Sequence, residues 1–238
     1  MLEMKVGIMQ PYFMPYIGYW QLINVVDKFV LLDDVNYIMR GYINRNSILL
    51  NGKPYRFTLP VENASQNKLI MDTKLRFAQE KKQDFFKTIS NAYGKAPCYR
   101  KVAPIIEDII NNSDDDITEY IKYSIQKVMS YLGINTEILV SSQIPKNHEL
   151  KGEERIVEIC KRLGADVYIN PCGGRKLYHQ NVFMSKNIKL YFLDTRKEDI
   201  IYDQKRNEFI DNLSIIDILM FNEVDIIQEL LKRYELNE

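Results

Sequence analysis

Apolar and polar positions along this chain fall into blocks of two kinds. Residues 6–9 (Val-Gly-Ile-Met) are a continuous apolar run that ends at Gln10. Residues 16–26 then repeat at helical spacing, with Ile17, Trp20, Ile23 and Val26 on one face. A second continuous run, residues 28–32, ends at Asp33-Asp34. Such runs suit central strands of a parallel sheet, which are buried on both faces, so residues 6–32 predict a strand–helix–strand unit. The pattern changes at residues 46–59. There Asn51-Gly52 separates two short runs, and the positive φ angles these residues accept predict a hairpin. Residues 69–75 read as a further short strand.

Residues 77–133 are mostly helical in pattern: 77–93, 99–110, and a third helix capped near Asp116 and closed by Gly133. A second strand–helix–strand series follows. It comprises a strand at 137–140, a helix at 153–163, strands at 166–169 and 188–193, and partial helix at 176–186. Helices at 214–221 and 225–234 finish the chain, the first capped by Asn212 or Ser214, with Asp217 favouring the positive end of its dipole. The predicted fold class is α/β: a mostly parallel sheet flanked by helices, with a β-hairpin and a helical insert in the middle of the chain. Residues 1–238 read as a single domain with 77–133 as insert or subdomain. Met4 reads as a natural start, with residues 1–3 as an extension.

Each apolar run ends in polar or glycine-rich residues: Gln10-Pro11-Tyr12, Asp33-Asp34, Ser141-Ser142-Gln143, Asn170-Pro171-Cys172-Gly173-Gly174 and Asp194-Thr195-Arg196. Parallel strands bring these segments to one rim, where open α/β sheets bind ligands. The segment QPYFMPYIGY (residues 10–19) crowds four aromatic rings and two prolines between a strand and a helix. It reads as a wall of a site, with the prolines fixing the chain; the alternative is an aromatic cover for the sheet edge.

Composition narrows the partners. The 238 residues carry 32 basic and 32 acidic side chains. No global field favours nucleic acid or an anionic membrane, so an anionic ligand needs a local patch. Three cysteines and two histidines at wide spacing suggest neither a disulfide framework nor a metal site. No signal peptide and no apolar run of membrane-spanning length is evident, and a cytoplasmic setting is expected.

Three further segments carry candidate chemistry. Asn170 to Lys176 places Gly173 and Gly174 beside Arg175, and a helix starting there would hold an anion through its amides. Arg40, Asn44, Arg45 and Asn46 place two guanidinium groups and two amides close together, as phosphate or carboxylate recognition requires. Asp33 and Asp34 could bind a magnesium ion or pair with Arg40 or Arg45, pairing being favoured because two adjacent carboxylates are a weak metal signal; as proton acceptor they are candidates alongside His148. For each, a solvated loop or a turn is the competing reading.

MQPYFMPYIGYWQLIN, KFVLLDDVNYIMRGYINRN, ILLNGKPYRFTLPV, ERIVEICKRLGADVYINPCGG and NLSIIDILMFN together resemble the WbqC-like protein family over nearly the whole chain. That resemblance implies a place in surface polysaccharide and amino-sugar synthesis. It adds weight to a site at Gln10, Tyr12, Tyr16, Tyr19, Asp33, Asp34, Arg40, Asn44, Arg45 and Asn46. Residues 16–19 also resemble, at a greater distance, the His-x-Gly-His segment of adenylate-forming nucleotidyltransferases, with Gly18 kept and both histidines replaced by tyrosine. The expectation is a transferase that adds an acyl or aminoacyl group to an amino-sugar nucleotide. Asp33, Asp34 or His148 would be proton acceptor, and Gln10, Tyr12, Tyr16, Tyr19, Arg40, Asn44, Arg45, Asn46, Asn170, Gly173, Gly174 and Arg175 would bind substrate. The alternatives are a binding or scaffold protein without turnover and a nucleotide-binding enzyme lacking the usual histidines. The expected partner is a nucleotide sugar, with no nucleic acid; a homodimer is compatible with the reading, and no cofactor or metal is assigned.

Overall fold

The computed structural model describes residues 3–205 and 208–238. The extension expected at residues 1–3 therefore lies outside the described residues except for Glu3, whose carboxylate is 2.7 Å from Lys189 Nζ. A six-stranded sheet forms the frame. Its strands are β1 (Lys5–Met9), β2 (Lys28–Leu31), β5 (Glu137–Val140), β6 (Val167–Pro171), β7 (Lys189–Thr195) and β8 (Tyr234–Asn237), in spatial order β5-β2-β1-β6-β7-β8. All neighbours run parallel except β7 and β8, which are antiparallel. β3 (Arg45–Leu50) and β4 (Lys53–Thr58) form the separate hairpin, turned by Asn51 and Gly52 at φ 53° and 71°.

The continuous apolar runs become central strands because both sheet faces are covered. α5 (Gly152–Arg162) and α6 (Gln180–Met184) lie over one face, where Val6, Ile8, Val30, Tyr168, Leu190 and Phe192 meet Ile156, Ile159 and Phe183. The other face is larger. Phe29, Leu31, Ile169 and Leu193 pack there with Trp20, Leu22 and Ile23 of α1 (Ile17–Val25). The same cluster continues through α2 (Gln79–Tyr93), α3 (Tyr99–Asn111), α4 (Ile117–Leu132), α7 (Ile215–Phe221) and α8 (Val224–Leu230). Asp116 caps α4 by accepting from the Thr118 and Glu119 amides, and Gly133 closes it at φ 70°.

Three sequence expectations change. Residues 69–75 form a 3₁₀ turn, Ile70–Asp72, between isolated bridges from Leu69 to Asn36 and from Leu75 to Val61. α6 begins at Gln180 and not beside Arg175; a 3₁₀ turn, Cys172–Gly174, stands there. The last helix ends at Leu230, and the chain returns as β8 on the edge of β7.

Candidate functional site

The parallel registers level the strand ends. Met9 lies opposite Leu31, and Leu31 opposite Val140. Gln10, Asp33-Asp34, Ser141-Ser142, Cys172–Gly174 and Arg196 thus follow their strands on one rim of the sheet. The strand order reverses between β1 and β6, since β1 leads through α1 to β2 on one side while β6 pairs on its other side. In open α/β sheets a ligand crevice lies beyond the carboxyl ends at such a switch point. The segments that would wall it here are residues 10–16 after β1 and Cys172–Gly174 after β6.

The first wall is pinned from beneath. Phe13 N–H donates to the Ile43 carbonyl (3.0 Å). The Met14 carbonyl accepts from Asn46 Nδ2 (2.7 Å) and from Ser214 Oγ (2.7 Å). The Pro15 carbonyl accepts from Ile215 N–H (2.9 Å) and Trp20 Nε1 (3.1 Å). Met14 itself sits at φ 47°, a conformation a non-glycine residue keeps only when its surroundings fix it. Two prolines and these bonds leave residues 10–16 little freedom. Tyr19 is fully enclosed, its ring 5.1 Å from that of Phe29 and its hydroxyl donating to the Gln10 carbonyl (2.9 Å). Tyr12 and Tyr16 remain partly exposed on the rim. Burial raises the pKa of both phenols, with small further contributions from neighbouring tyrosines and, for Tyr16, from the Cys172 thiol. A Cβ added at Gly18 would lie 2.6 Å from the Tyr16 ring and 2.8 Å from Thr195 Oγ1. The glycine of the Tyr-Ile-Gly-Tyr segment therefore makes room for Tyr16 and β7.

The arginine-asparagine segment divides. Asn44 and Asn46 are buried, and Asn44 Nδ2 donates to the Leu59 carbonyl (2.7 Å). Arg45 Nε donates to the Gly41 carbonyl (2.8 Å). Arg40 is exposed at φ 61° in a turn closed by Gly41 N–H to the Ile38 carbonyl (3.1 Å).

Asp33 and Asp34 are 1 % and 7 % exposed. Asp33 accepts from Ser142 N–H (2.9 Å) and Ser142 Oγ (2.7 Å). Burial raises its carboxyl pKa against the opposing pull of those bonds. Asp34 accepts from Ser141 Oγ (2.7 Å) and pairs with Lys146 Nζ (2.9 Å), with Arg155 3.8 Å away. For Asp34 burial pushes upward, but the Ser141 and Lys146 bonds and the two cations outweigh it, and its pKa is lowered. The pairing expected with Arg40 or Arg45 is made instead by Lys146 and Arg155. His148 is exposed in the loop after edge strand β5, with β2 between it and the crevice.

On the second wall, Asn170 is buried between Tyr168 Oη, which donates to its Oδ1 (3.0 Å), and the Pro171 carbonyl, which accepts from its Nδ2 (3.0 Å). Gly174 is glycine because a Cβ would fall 1.9 Å from Asn170 Nδ2. At Gly173 an added Cβ meets nothing within 4 Å and φ is not positive. Nothing in the protein requires glycine there, and the space over its backbone is open. Arg175 is exposed, its guanidinium 5.3 Å from the Phe192 ring. Asp194 ends the same strand face. Partial burial first, then hydrogen bonding to Asp194, push the Cys172 thiol pKa up, so the thiol is protonated at neutral pH and a poor nucleophile. A neighbouring cavity bordered by Tyr16, Ile17 and Thr195 holds only about 30 Å³, space for a water or two and not for a sugar ring.

A model of the WbqC-like protein family matches residues 10–229. The chain belongs to the WbqC-like protein family. It is also 25 % identical over 193 residues to the uncharacterized protein Rv1507c of Mycobacterium tuberculosis, covering 80 % of this chain and 82 % of that one. No solved structure matches.

In this WbqC-like protein the matched region starts at Gln10, the first residue of the rim, and takes in both walls of the crevice. Among the described residues no group of three or more His, Cys, Asp or Glu could hold a metal ion, and no helix is long and apolar enough to cross a membrane. One polar cluster escapes the sequence reading. Asp217, fully buried in the first turn of α7, accepts from Tyr93 Oη (2.7 Å), Tyr202 Oη (2.6 Å) and Gln204 Nε2 (2.9 Å). Ser214 caps that helix by accepting from Ile216 N–H (3.3 Å), whereas Asp217 ties three separate segments together. Lys146 and Arg155 likewise escape the sequence reading, because a lone charged side chain carries no sign of where the fold will take it, while Asp194 is legible only as a polar strand end.

Proposed function

We propose that this protein binds a nucleotide sugar in the crevice between β1 and β6 and transfers an acyl or aminoacyl group to the amine of that sugar, in surface polysaccharide synthesis. The observation that carries this reading is the pairing of two unlike walls at the switch point. One has the partly exposed rings of Tyr12 and Tyr16; the other has a backbone left open at Gly173 and the Arg175 guanidinium. Sugar C–H faces suit the first wall. A diphosphate suits the second, through the amides of the Cys172–Gly174 turn and the guanidinium. Asp33 and Asp34 hold the loops in this reading, since their oxygens are enclosed and bonded to Ser141, Ser142 and Lys146. The proton acceptor is then Asp194, which is exposed beside Cys172. The amine attacks the carbonyl carbon of an activated acyl or aminoacyl donor, the donor's leaving group departs with the bonding pair, and the amine proton passes to the carboxylate.

The internal commitment of Asp33 and Asp34 also supports a second reading, ligand binding without turnover. Titration calorimetry with UDP-N-acetylglucosamine, dTDP-glucose and GDP-mannose tests what the two share. Gly173→Val and Arg175→Ala should weaken binding of the preferred ligand about tenfold or more without lowering the melting temperature. Absence of binding by all three sugars, or unchanged affinity in both variants, refutes the crevice as the site. Turnover of a bound amino-sugar nucleotide that survives Asp194→Asn removes Asp194 as base.

A further inference from the structure

Tyr42 is the most exposed aromatic ring beside the crevice, at 61 %, yet it is not isolated. Its centroid lies 6.1 Å from that of Tyr12, inclined at 51°, and Tyr12 in turn lies 5.6 Å from Tyr19. The Tyr42 and Tyr12 rings thus adjoin beside the segment after β1, while the Cys172–Gly174 turn and Arg175 follow its neighbour β6. The two ends differ in chemistry. At the Tyr42 end, Ile38 and Met39 are also exposed, at 50 % and 45 %. At the other end are backbone amides and a guanidinium.

The turn that carries Tyr42 is held in place. Gly41 N–H closes it onto the Ile38 carbonyl, and Arg45 Nε bonds the Gly41 carbonyl (2.8 Å). Arg40 keeps a left-handed φ of 61° within it, at a cost that the surrounding bonds must offset. At the start of the segment after β1, among the described residues, the shielded Oε1 of Gln10 has no hydrogen-bond donor. An enclosed acceptor without a partner is costly unless a ligand supplies the donor.

We propose that Tyr42 is the stacking platform for the base of the nucleotide, so that the ligand lies along the rim with its base at Tyr42 and its diphosphate at Cys172–Gly174 and Arg175. The assignment rests on the nucleotide-sugar reading of the crevice. A nucleotide has the same asymmetry as the rim: a flat ring with N–H edges at one end and two phosphates at the other. An exposed phenol face costs little to cover, and stacking tolerates any base. Arg45 acts here as a positioning residue through the Gly41 carbonyl and touches no ligand.

The test is calorimetry on the full chain with UDP-N-acetylglucosamine, dTDP-glucose, GDP-mannose and N-acetylglucosamine 1-phosphate, for the wild type, Tyr42→Ala and Tyr42→Phe. Tyr42→Ala should weaken the best nucleotide ligand about tenfold or more and leave the sugar 1-phosphate unaffected. Tyr42→Phe should bind as the wild type does, because the ring face and not the hydroxyl makes the contact. Both melting temperatures should match the wild type. Equal nucleotide affinity in Tyr42→Ala, or an equal loss in Tyr42→Phe, overturns the stacking role while leaving the crevice as a nucleotide site. If the wild type binds none of the nucleotides, both readings fall together.

Discussion

Removing the two side-chain donors to the Met14 carbonyl, singly and together, separates a scaffold role for the arginine-asparagine segment from a ligand role. Asn46→Ala deletes the bond from Nδ2 to Met14 O (2.7 Å) and the bond that Oδ1 accepts from Ser47 N–H (2.8 Å). At about 1 kcal/mol net for each neutral bond, plus a small cavity, the loss is about 2–3 kcal/mol. Ser214→Ala deletes the second bond to Met14 O (2.7 Å) and the cap on α7, for about 2 kcal/mol. In each single variant the carbonyl keeps one partner. In the double variant it keeps neither side-chain donor, and stranding an acceptor in a buried place costs a further ~1–3 kcal/mol. The double loss should therefore exceed the sum of the single losses by about 1 kcal/mol or more. Urea denaturation of the four proteins measures this coupling. Single variants with unchanged stability, or strict additivity, would mean that the bonds do not fix residues 10–16. Asn46 would then be free for a ligand, as the sequence suggests.

Three more outcomes follow from buried groups. Asp34→Ala leaves the Lys146 ammonium, whose side chain is 0 % exposed, without its carboxylate, and should cost about 3–5 kcal/mol in chemical denaturation; a loss below ~1 kcal/mol would mean that the pair is not desolvated. Gly18→Ala drives a methyl into the Tyr16 ring and Thr195 Oγ1 and should cost about 1–3 kcal/mol, with most of it recovered when Tyr16 is also shortened to Ala. Burial raises the Asp217 carboxyl pKa above its ordinary value of 3.8 in spite of three donors, so the folded state holds that proton more tightly than the unfolded chain. Its stabilising contribution is full below about 3.8 and lost as pH rises through the folded pKa; the stability of the wild type relative to Asp217→Asn should fall as pH rises above that value, and a rise would reverse the assignment.

Much of the frame is legible because parallel strands are written as continuous apolar runs. β1, β2, β5, β6 and β7 all show this, and once they are parallel their ends must share a rim. β8 is not legible in the same way. Tyr-Glu-Leu-Asn is a four-residue edge strand with one partner, and Ile227, Leu230 and Leu231 before it carry a helical spacing that hides where α8 stops. Residues 69–75 read as a strand in sequence, yet their backbone forms a 3₁₀ turn with isolated bridges and scattered hydrogen bonds, such as Met71 N–H to the Asp33 carbonyl (3.0 Å), in place of a ladder. The rim is legible as a place but not as a division of labour. Arg155 reaches the Asp34 carbonyl across 121 residues, and Ser214 reaches Met14 across 200. No local pattern encodes such a meeting. Asn46, Asp33 and Asp34 therefore look like a binding set in sequence, although each spends its polar atoms inside the protein.

That expenditure bears on how the crevice can work. A loop of two prolines and four aromatics, left to itself, would have to be ordered by its ligand, and the ordering would subtract from affinity. Here the ordering is complete before any ligand arrives. Asn46 and Ser214 hold Met14, Trp20 and Ile215 hold Pro15, and Tyr19 holds Gln10. On the neighbouring strand ends, Ser141, Ser142, Lys146 and Arg155 fix Asp33 and Asp34. What the proposed site draws on along the rim is narrow in kind: the ring faces of Tyr12, Tyr16 and Tyr42, the open backbone at Gly173, the Arg175 guanidinium and the Asp194 carboxylate beside the Cys172 thiol. A rigid mouth of faces, amides and a cation would suit the proposed ligand, flat at one end and anionic at the other. The proposed base, Asp194, is exposed on that mouth beside the Cys172 thiol.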